Sequence, residues 1–526
     1  MEVAIGLSDL AAVSAEIILA ATGIIILLVD IFVADKKKTM LAVLALVGIL
    51  MAGYATYQQY DYASGRLAYE QSLPLTEEGP TIRQNFDGTR FALGYIGDGP
   101  VVVDNFSVVF RYIFLLGTAL TILLSIGYLQ REGSARAEYY ALLLFATIGM
   151  MIMSSAADLL TLFLGLETLS IPIYVLAGYH RNLIRSNEAG LKYLLMGAFA
   201  SGFFIYGIAF IYGATGTLRL RFIAERLAEL DAGGITSAPY LLIGVALLLV
   251  GFAFKVAAVP FHMWTPDVYE GAPTAITAYM SVAVKAAAFA GLLRVLLVLV
   301  PFQTLMEVVN GALWWIAVIT MVFGNLIALV QDNIKRMLAY SSISHAGYLL
   351  VGVLAVMNLG TTSMALASIL FYLIAYTLMN IGAFAVVLLV ARKGDKFEKI
   401  DDYAGLGRKH PALAAAMALF LVSLAGIPPT AGFFGKFYLF GAAVSAGMIP
   451  LVIIAVINSL ISVGYYFRPI MAMYFKPTAK DEEEREAIQI PYAAEFTLYF
   501  TATAVLLFGI IPNRIIPLVD SIISGL

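Results

Sequence analysis

The sequence predicts an all-α integral membrane protein of about fourteen transmembrane helices, with two inverted five-helix repeats and discontinuous seventh and twelfth helices. Three observations carry this. The 526 residues are 61% hydrophobic and only 13% charged, with a mean hydropathy of +0.89, far outside the range of a soluble domain. Apolar stretches of about 20 residues, the length that crosses hydrocarbon at helical rise, recur along the chain without the period-2 pattern of a barrel. Two of them, five segments apart, are broken by proline: Pro260 in one, Pro428 and Pro429 in the other.

Taken in order, residues 1–526 form a single membrane domain. Residues 10–129 hold helices 1–3, with an external insertion at 61–104 whose RFALGYIGDGPVVVDNF reads as a hairpin around Gly97, Asp98 and Gly99. Residues 138–300 make helices 4–8, the first repeat, and 313–474 make helices 9–13, the second; an offset of five reverses direction, so the pair is inverted. Helix 14 lies in 491–526, after a charged loop, KPTAKDEEEREAIQI. The basic connectors ADKKKT, QREGSARA, HRNLIRSN, QDNIKR and RKGDKFEKIDDYAGLGRKH share one face, which the positive-inside rule makes cytoplasmic, with both termini external. The N-terminus MEVAIGLSDL has no basic n-region, so no removable signal is expected.

Charge inside the apolar runs is the functional clue. Lys255 in LLVGFAFKVAAVP and Lys436 in LAGIPPTAGFFGKF sit beside prolines, Lys285 lies deep in the eighth segment, and Glu167 lies about 18 Å into the fifth, near the midplane. An ionisable group at that depth costs several kcal/mol unless water or a partner compensates it, and marks an ion pathway by default. Burial pushes lysine and glutamate toward exchange near neutral pH, and a Glu167–Lys255 pair would switch with geometry. One ion pair is ordinary structural glue, but one glutamate cannot neutralise three lysines. His345, among Tyr340, Ser341 and Ser344, is the near-neutral titrator between the halves; alone it reads equally as a satisfied core histidine. Arg111, Arg294 and Arg468 read as snorkelling side chains, His262, Trp264, Trp314 and Trp315 as interfacial belts, Glu16 and Asp30 as interfacial, and Asp332 with Lys335 as a capped turn.

With no cysteine, thiolate metal sites and iron–sulfur ligation by this chain are excluded, and its four histidines lack ligand spacing. No nucleotide or flavin motif is present, and nothing points to nucleic acid. No redox chemistry is expected in the chain by itself.

The stretches LFLGLETLSIPIYVLAGY, EAGLKYLLMGAFASGFFIYG, FKVAAVPFHMWTPDVYEGAP, NIKRMLAYSSISHAGY and LAGIPPTAGFFGKF, in that order, resemble the antiporter-like membrane subunits of respiratory complex I, the proton-translocating NADH:quinone oxidoreductase. ASGF and LGLETLSIPIY resemble the subunit N branch, related to mitochondrial subunit 2. The resemblance implies proton pumping coupled to quinone reduction elsewhere in a complex of K-, J-, A- and M-like membrane subunits, in a bacterial inner membrane. Flavin, iron–sulfur clusters and quinone would belong to partner subunits, leaving this chain only lipid and protein neighbours. It also implies that Glu167 and Lys255 form the switchable pair, Lys285 connects the halves, and Lys436 faces the external exit. The halves differ: His345 stands where the first half has Glu167, and Asn458 where it has Lys285. Lysine in the twelfth segment argues against subunit M, and the chain end at Leu526 leaves no long lateral helix like that of subunit L. A multisubunit sodium/proton antiporter subunit is the alternative, as is the equivalent subunit of a photosynthetic ferredoxin or NAD(P)H:plastoquinone oxidoreductase.

Overall fold

The computed structural model describes residues 7–33, 38–72, 99–232, 239–299, 302–358, 361–477, 488, 490–512 and 514. A short α1 (Leu7–Ala12) leads into α2 (Ser14–Asp30), which packs with α3 (Thr39–Ser72) and α4 (Asn105–Glu132) as an N-terminal layer. The next group is α5 (Ala137–Ser155), α6 (Leu159–Ala177), α7 (Ile184–Thr215), the short α8 (Leu220–Ala232) and α9 (Pro239–Val256). After a break come α10 (Thr265–Gly271) and α11 (Thr274–Tyr279), which runs through a π-helical turn at Met280–Val284 into α12 (Lys285–Leu299). Then follow α13 (Gln303–Leu329), α14 (Ile334–Val356), α15 (Thr362–Val390), α16 (Leu406–Lys409), α17 (Pro411–Ala425), α18 (Ala431–Ser445), α19 (Ile449–Phe475) and α20 (Tyr492–Ile510).

Among the described residues, twelve helices are long and apolar enough to cross a membrane. The expected fourteen would also need the 17-residue α2 and the interrupted pair α17–α18. Paired extended backbone there amounts to isolated bridges such as Val101 with Ala156. The expected hairpin turn begins outside the described residues, and α3 continues past Asp61 to Ser72, because a polar sequence does not by itself end a helix. The amphipathic α8, LRFIAERLAELDA, was not anticipated as a helix; it buries Leu220, Ile223 and Leu227.

Helix ends are set locally. Asp104 caps α4 by accepting from Ser107 N at 2.7 Å, Asp158 caps α6 through Thr161 N at 2.7 Å, and Asn333 caps α14 through Lys335 N and Arg336 N. Helix faces meet through small residues. A Cβ on Gly149 or Gly165 would come closer than 3.0 Å to the backbone across the α5–α6 contact, and one on Gly324 or Gly347 would do the same between α13 and α14. Without a hydrophobic drive between helices in lipid, such close backbone approach is what holds them. At the centre, 94% of an apolar 18-residue stretch of α14 is buried within the chain, against 33% of the equivalent stretches of α7 and α20. The helix that carries both His345 and the Lys285 acceptor Ser342 is therefore shielded by protein.

Several charges expected at interfaces are buried instead. Arg111 does not snorkel: it is fully buried, 2.5 Å from Glu16 on α2, and donates to Gln59 on α3. Arg294 is clamped by both oxygens of Asp104 at 2.9 Å. In each case a carboxylate from a distant segment meets the guanidinium before it can reach the surface. Arg468 does lie at the periphery, paired with Asp332 at 2.7 Å. The turn before α14 is capped by Asn333, and Lys335 is buried against Glu398 and Asp395. Trp264 is buried, stacked on Tyr193 with ring centroids 4.3 Å apart, and His262 packs against Phe323, whereas Trp315 is exposed as a belt residue would be.

The Arg111–Glu16 pair predicts a non-additive double mutant. Arg111→Leu leaves the Glu16 carboxylate buried without its counter-charge, so thermal stability of the detergent-solubilised protein should fall by about 3–5 kcal/mol, and adding Glu16→Leu should restore most of it.

Candidate functional site

A broken helix leaves backbone groups unpaired, and in lipid they must find partners within the protein. At the first break α9 ends with Ala257 in the left-handed region at φ 62, its chain closed by Ala258 N donating to Ala253 O at 2.8 Å. Trp264 Nε1 returns to donate to the Phe254 carbonyl at 3.0 Å, which also accepts from Ala257 N at 3.1 Å, and Val259 N donates to Thr320 Oγ1 on α13 at 2.9 Å. Lys255 lies in the last turn of α9, where the helix dipole favours a cation. Its Nζ donates to Ser170 Oγ at 2.6 Å and to Tyr174 Oη at 3.3 Å, over the rings of Tyr174 and Tyr193.

At the second break the lysine itself satisfies the backbone. Lys436 Nζ donates to the Leu424 and Ala425 carbonyls, each at 3.0 Å, and to Ser459 Oγ at 2.9 Å. Those carbonyls end α17, the negative pole of that half-helix. Gly426 follows at φ 84, and a Cβ there would sit 2.9 Å from Lys436 Cδ, so the turn needs glycine both for its backbone and for passage of the lysine stem.

Lys285 begins α12 directly after the π-helical turn, a distortion frequent at functional sites. Its ammonium donates to the Ser342 carbonyl at 2.5 Å and hydroxyl at 2.6 Å. His345, one turn along α14, pairs its two nitrogens with Tyr372 Oη at 2.6 Å and Tyr466 Oη at 3.0 Å. Tyr466 also pairs with Ser341, and the His345 ring meets Tyr348 edge-on at 5.5 Å. Tyr348 in turn lies 4.9 Å below the Lys436 ammonium.

Four of the five expected groups thus come together in one buried interior: Lys255, Lys285, His345 and Lys436 are each at most 5% exposed. A polar and aromatic succession joins them. Tyr193 leads from Lys255 to Trp264 and Tyr269, whose hydroxyl faces Ser342, the acceptor of Lys285; Ser341, next to Ser342 on α14, begins the second stretch through Tyr466, His345, Tyr348 and Lys436. Among the described residues, no carboxylate lies within ion-pair reach of any of the three lysines, which are solvated by hydroxyls and carbonyls.

Glu167 differs from the expectation. It is only half-buried and accepts from Ser201 on α7, while Ser170, three residues along α6, takes the Lys255 ammonium. Glu167 and Lys255 therefore do not form an ion pair in this structure. The partners of His345 also differ from its sequence neighbours: Ser344 bonds its own helix backbone, and the tyrosines come from α15 and α19. Ser170, Ser342, Tyr269, Tyr372, Tyr466 and Ser459 were missed, since hydroxyls in apolar runs carry no signal in sequence until a titratable group is placed beside them.

With this geometry in hand, similarity to known proteins is specific. The membrane-domain family described as NADH:quinone oxidoreductase/Mrp antiporter matches residues 156–462. NADH-quinone oxidoreductase subunit N of Trichlorobacter lovleyi is 49% identical over 95% of this chain and 94% of its own length, and subunit N of Rhodospirillum rubrum is 42% identical over 94% of each. A chain of respiratory complex I from Thermus thermophilus superimposes with a TM-score of 0.73 at 32% identity, covering 96% of this chain and 98% of that one. A chain of the Mrp complex from Dietzia shares the fold, with a TM-score of 0.76 at 20% identity. The chain belongs to the subunit N family of NADH-quinone oxidoreductase, the antiporter-like membrane subunits of complex I.

Proposed function

We propose that this subunit carries protons along Glu167, Lys255, Lys285, His345 and Lys436, driven by quinone reduction elsewhere in the complex. One observation carries the reading: three buried amines are held by neutral hydroxyls and carbonyls rather than by carboxylates. Such a site loses or regains a proton without leaving an orphaned counter-charge, which a matched ion pair does not allow. The half-buried Glu167 on α6 is the movable acid that closes on Lys255, and Lys436, beside the second break, is the outward end.

The inverted repeat belongs to the same proposal. Its support is the recurrence of a glycine-mediated helix pair, α5–α6 and α13–α14, each followed by a broken helix and a buried lysine. The face with the basic connectors is cytoplasmic, the membrane is the bacterial inner membrane, and both termini are external. Neighbours are K-, J-, A- and M-like membrane subunits and lipid, while flavin, iron–sulfur clusters and quinone reside in partner subunits. This chain moves protons and performs no electron transfer of its own.

In the assembled complex in vesicles, Lys255→Ala should slow proton uptake coupled to quinone reduction by about tenfold or more, measured by quenching of a pH-sensitive dye; native pumping by a fully assembled variant would sink the reading. Replacing sodium by choline should leave pumping unchanged, whereas a sodium requirement would favour cation/proton exchange instead.

A further inference from the structure

A second chain of polar groups runs inward from the face that carries the basic connectors and includes none of the five groups above. His180, half-buried in the α6–α7 connector, has its Nε2 2.8 Å from the Tyr128 hydroxyl near the end of α4. Tyr128 donates to Asp395 Oδ2 at 2.8 Å, which leaves its oxygen to accept and places the hydrogen on His180 Nε2. Asp395 Oδ2 lies 4.0 Å from the Lys335 ammonium at the start of α14, which also lies 3.4 Å from Glu398 and donates to the Ala272 carbonyl at 2.8 Å. Lys335 is fully buried. Asp395 and Phe397 hold φ of 48 and 66, left-handed backbone that side chains rarely adopt, so the segment from Arg392 to Lys399 is kept in an unfavourable shape while it presents the two acids.

The inner end points at the row of titratable groups. Tyr269, three residues before Ala272, turns its hydroxyl to Ser342, the acceptor of Lys285. Ser342 stands seven residues beyond Lys335 on α14, two turns or about 10 Å along the same face. The flexible four-carbon stem of Lys335 can carry its ammonium into that interval.

A clamp holding loops together would need only the charges. Lys335, Arg185 and Arg131 already stand against Asp395, Glu398 and Glu132. The extension through Tyr128 to His180 adds no charge to that balance; what it adds is a hydrogen-bonded connection to the surface. His180 is faced by Tyr128 and Glu132 from α4, Asp395, Lys335 from α14, Arg185 from α7 and the adjacent Tyr179. Burial lowers its pKa, with Lys335 and Arg185 acting in the same direction and Asp395 and Glu132 opposing, so the imidazole is neutral at neutral pH.

We propose that His180, Tyr128, Asp395 and Lys335 form a proton-entry relay from the cytoplasmic surface toward Lys285; the proposal rests on the proton-carrying reading above. His180 takes one proton from bulk water. Its Nε2 hydrogen passes to Tyr128 as the Tyr128 hydrogen moves to Asp395, and the resulting acid reloads Lys335 after that amine has given its proton inward. One proton enters per cycle, no net charge remains on the relay, and the imidazole resets by exchange with water.

The test uses the complete complex in vesicles and compares only fully assembled variants. Tyr128→Phe, which keeps the ring and removes only the hydroxyl, should slow quinone-coupled proton uptake by about tenfold. His180→Gly should do the same and recover with millimolar imidazole in the medium, a rescue that a merely structural histidine would not show. Native pumping by Tyr128→Phe overturns the relay, as does a His180→Gly defect that imidazole leaves unchanged. Lys285→Ala, measured alongside, keeps the readings apart: loss of pumping there with native Tyr128→Phe removes the relay alone, whereas native pumping in Lys285→Ala removes the proton-carrying reading itself.

Discussion

A helix interrupted within lipid must find hydrogen bonds for its freed backbone groups inside the protein, and the arrangement of this molecule follows from how it does so. At the first break a buried tryptophan and a threonine from α13 supply the partners, Trp264 for the Phe254 carbonyl and Thr320 for Val259 N. At the second, the ammonium of Lys436 supplies them, drawn to the carbonyl end of α17. The breaks are therefore chemically different: one is sealed by neutral donors beside its lysine, and in the other the lysine is the seal. Withdrawing the Lys436 side chain would leave the Leu424 carbonyl without its donor, while Ala425 O would keep Ser459 Oγ at 3.3 Å, so the position of the lysine is tied to the conformation of the broken helix.

The same constraint sorts the buried charges into two kinds. Arg111 with Glu16, and Arg294 with Asp104, are matched ion pairs in which loss of either charge strands the other. Lys255, Lys285 and Lys436 instead rest on hydroxyls, carbonyls and aromatic faces. Those dipoles stabilise the cation, yet remain satisfied through one another when it is discharged. Ser170, for example, also donates to the Leu166 carbonyl of its own helix. The paired charges hold the N-terminal layer and the α4–α12 contact; the unpaired ones line the buried interior.

The protein's apolar runs announced its membrane helices, and the isolated lysines in them announced the interior groups, because both signals are local: hydropathy is a property of the segment, and a lone charge is conspicuous against it. Pro260 and Pro428–Pro429 likewise marked the breaks correctly, since a missing backbone donor acts within its own helix. Interfacial readings failed where a partner from another segment claimed the side chain, as for Arg111, Arg294 and Trp264. Arg111, close enough to a helix end to snorkel, is instead captured by Glu16 from 95 residues away. Trp264 looked like a membrane belt and is a buried backbone cap.

Partner choice is what the chain alone left open. Glu167 and Lys255 are the obvious complementary charges, yet Ser170 stands nearer the amine and Ser201 nearer the acid. His345 has hydroxyls at adjacent positions, but along α14 those point to other neighbours, and Tyr372 and Tyr466 reach it across helix interfaces. The sequence by itself determined which segments enter the membrane and which ionisable groups go with them, through the free energy of transferring each segment from water. Only the tertiary structure decided which hydroxyls, carbonyls and rings surround those groups, because that depends on the rotation and register of helices brought together by close glycine contacts far apart in the chain.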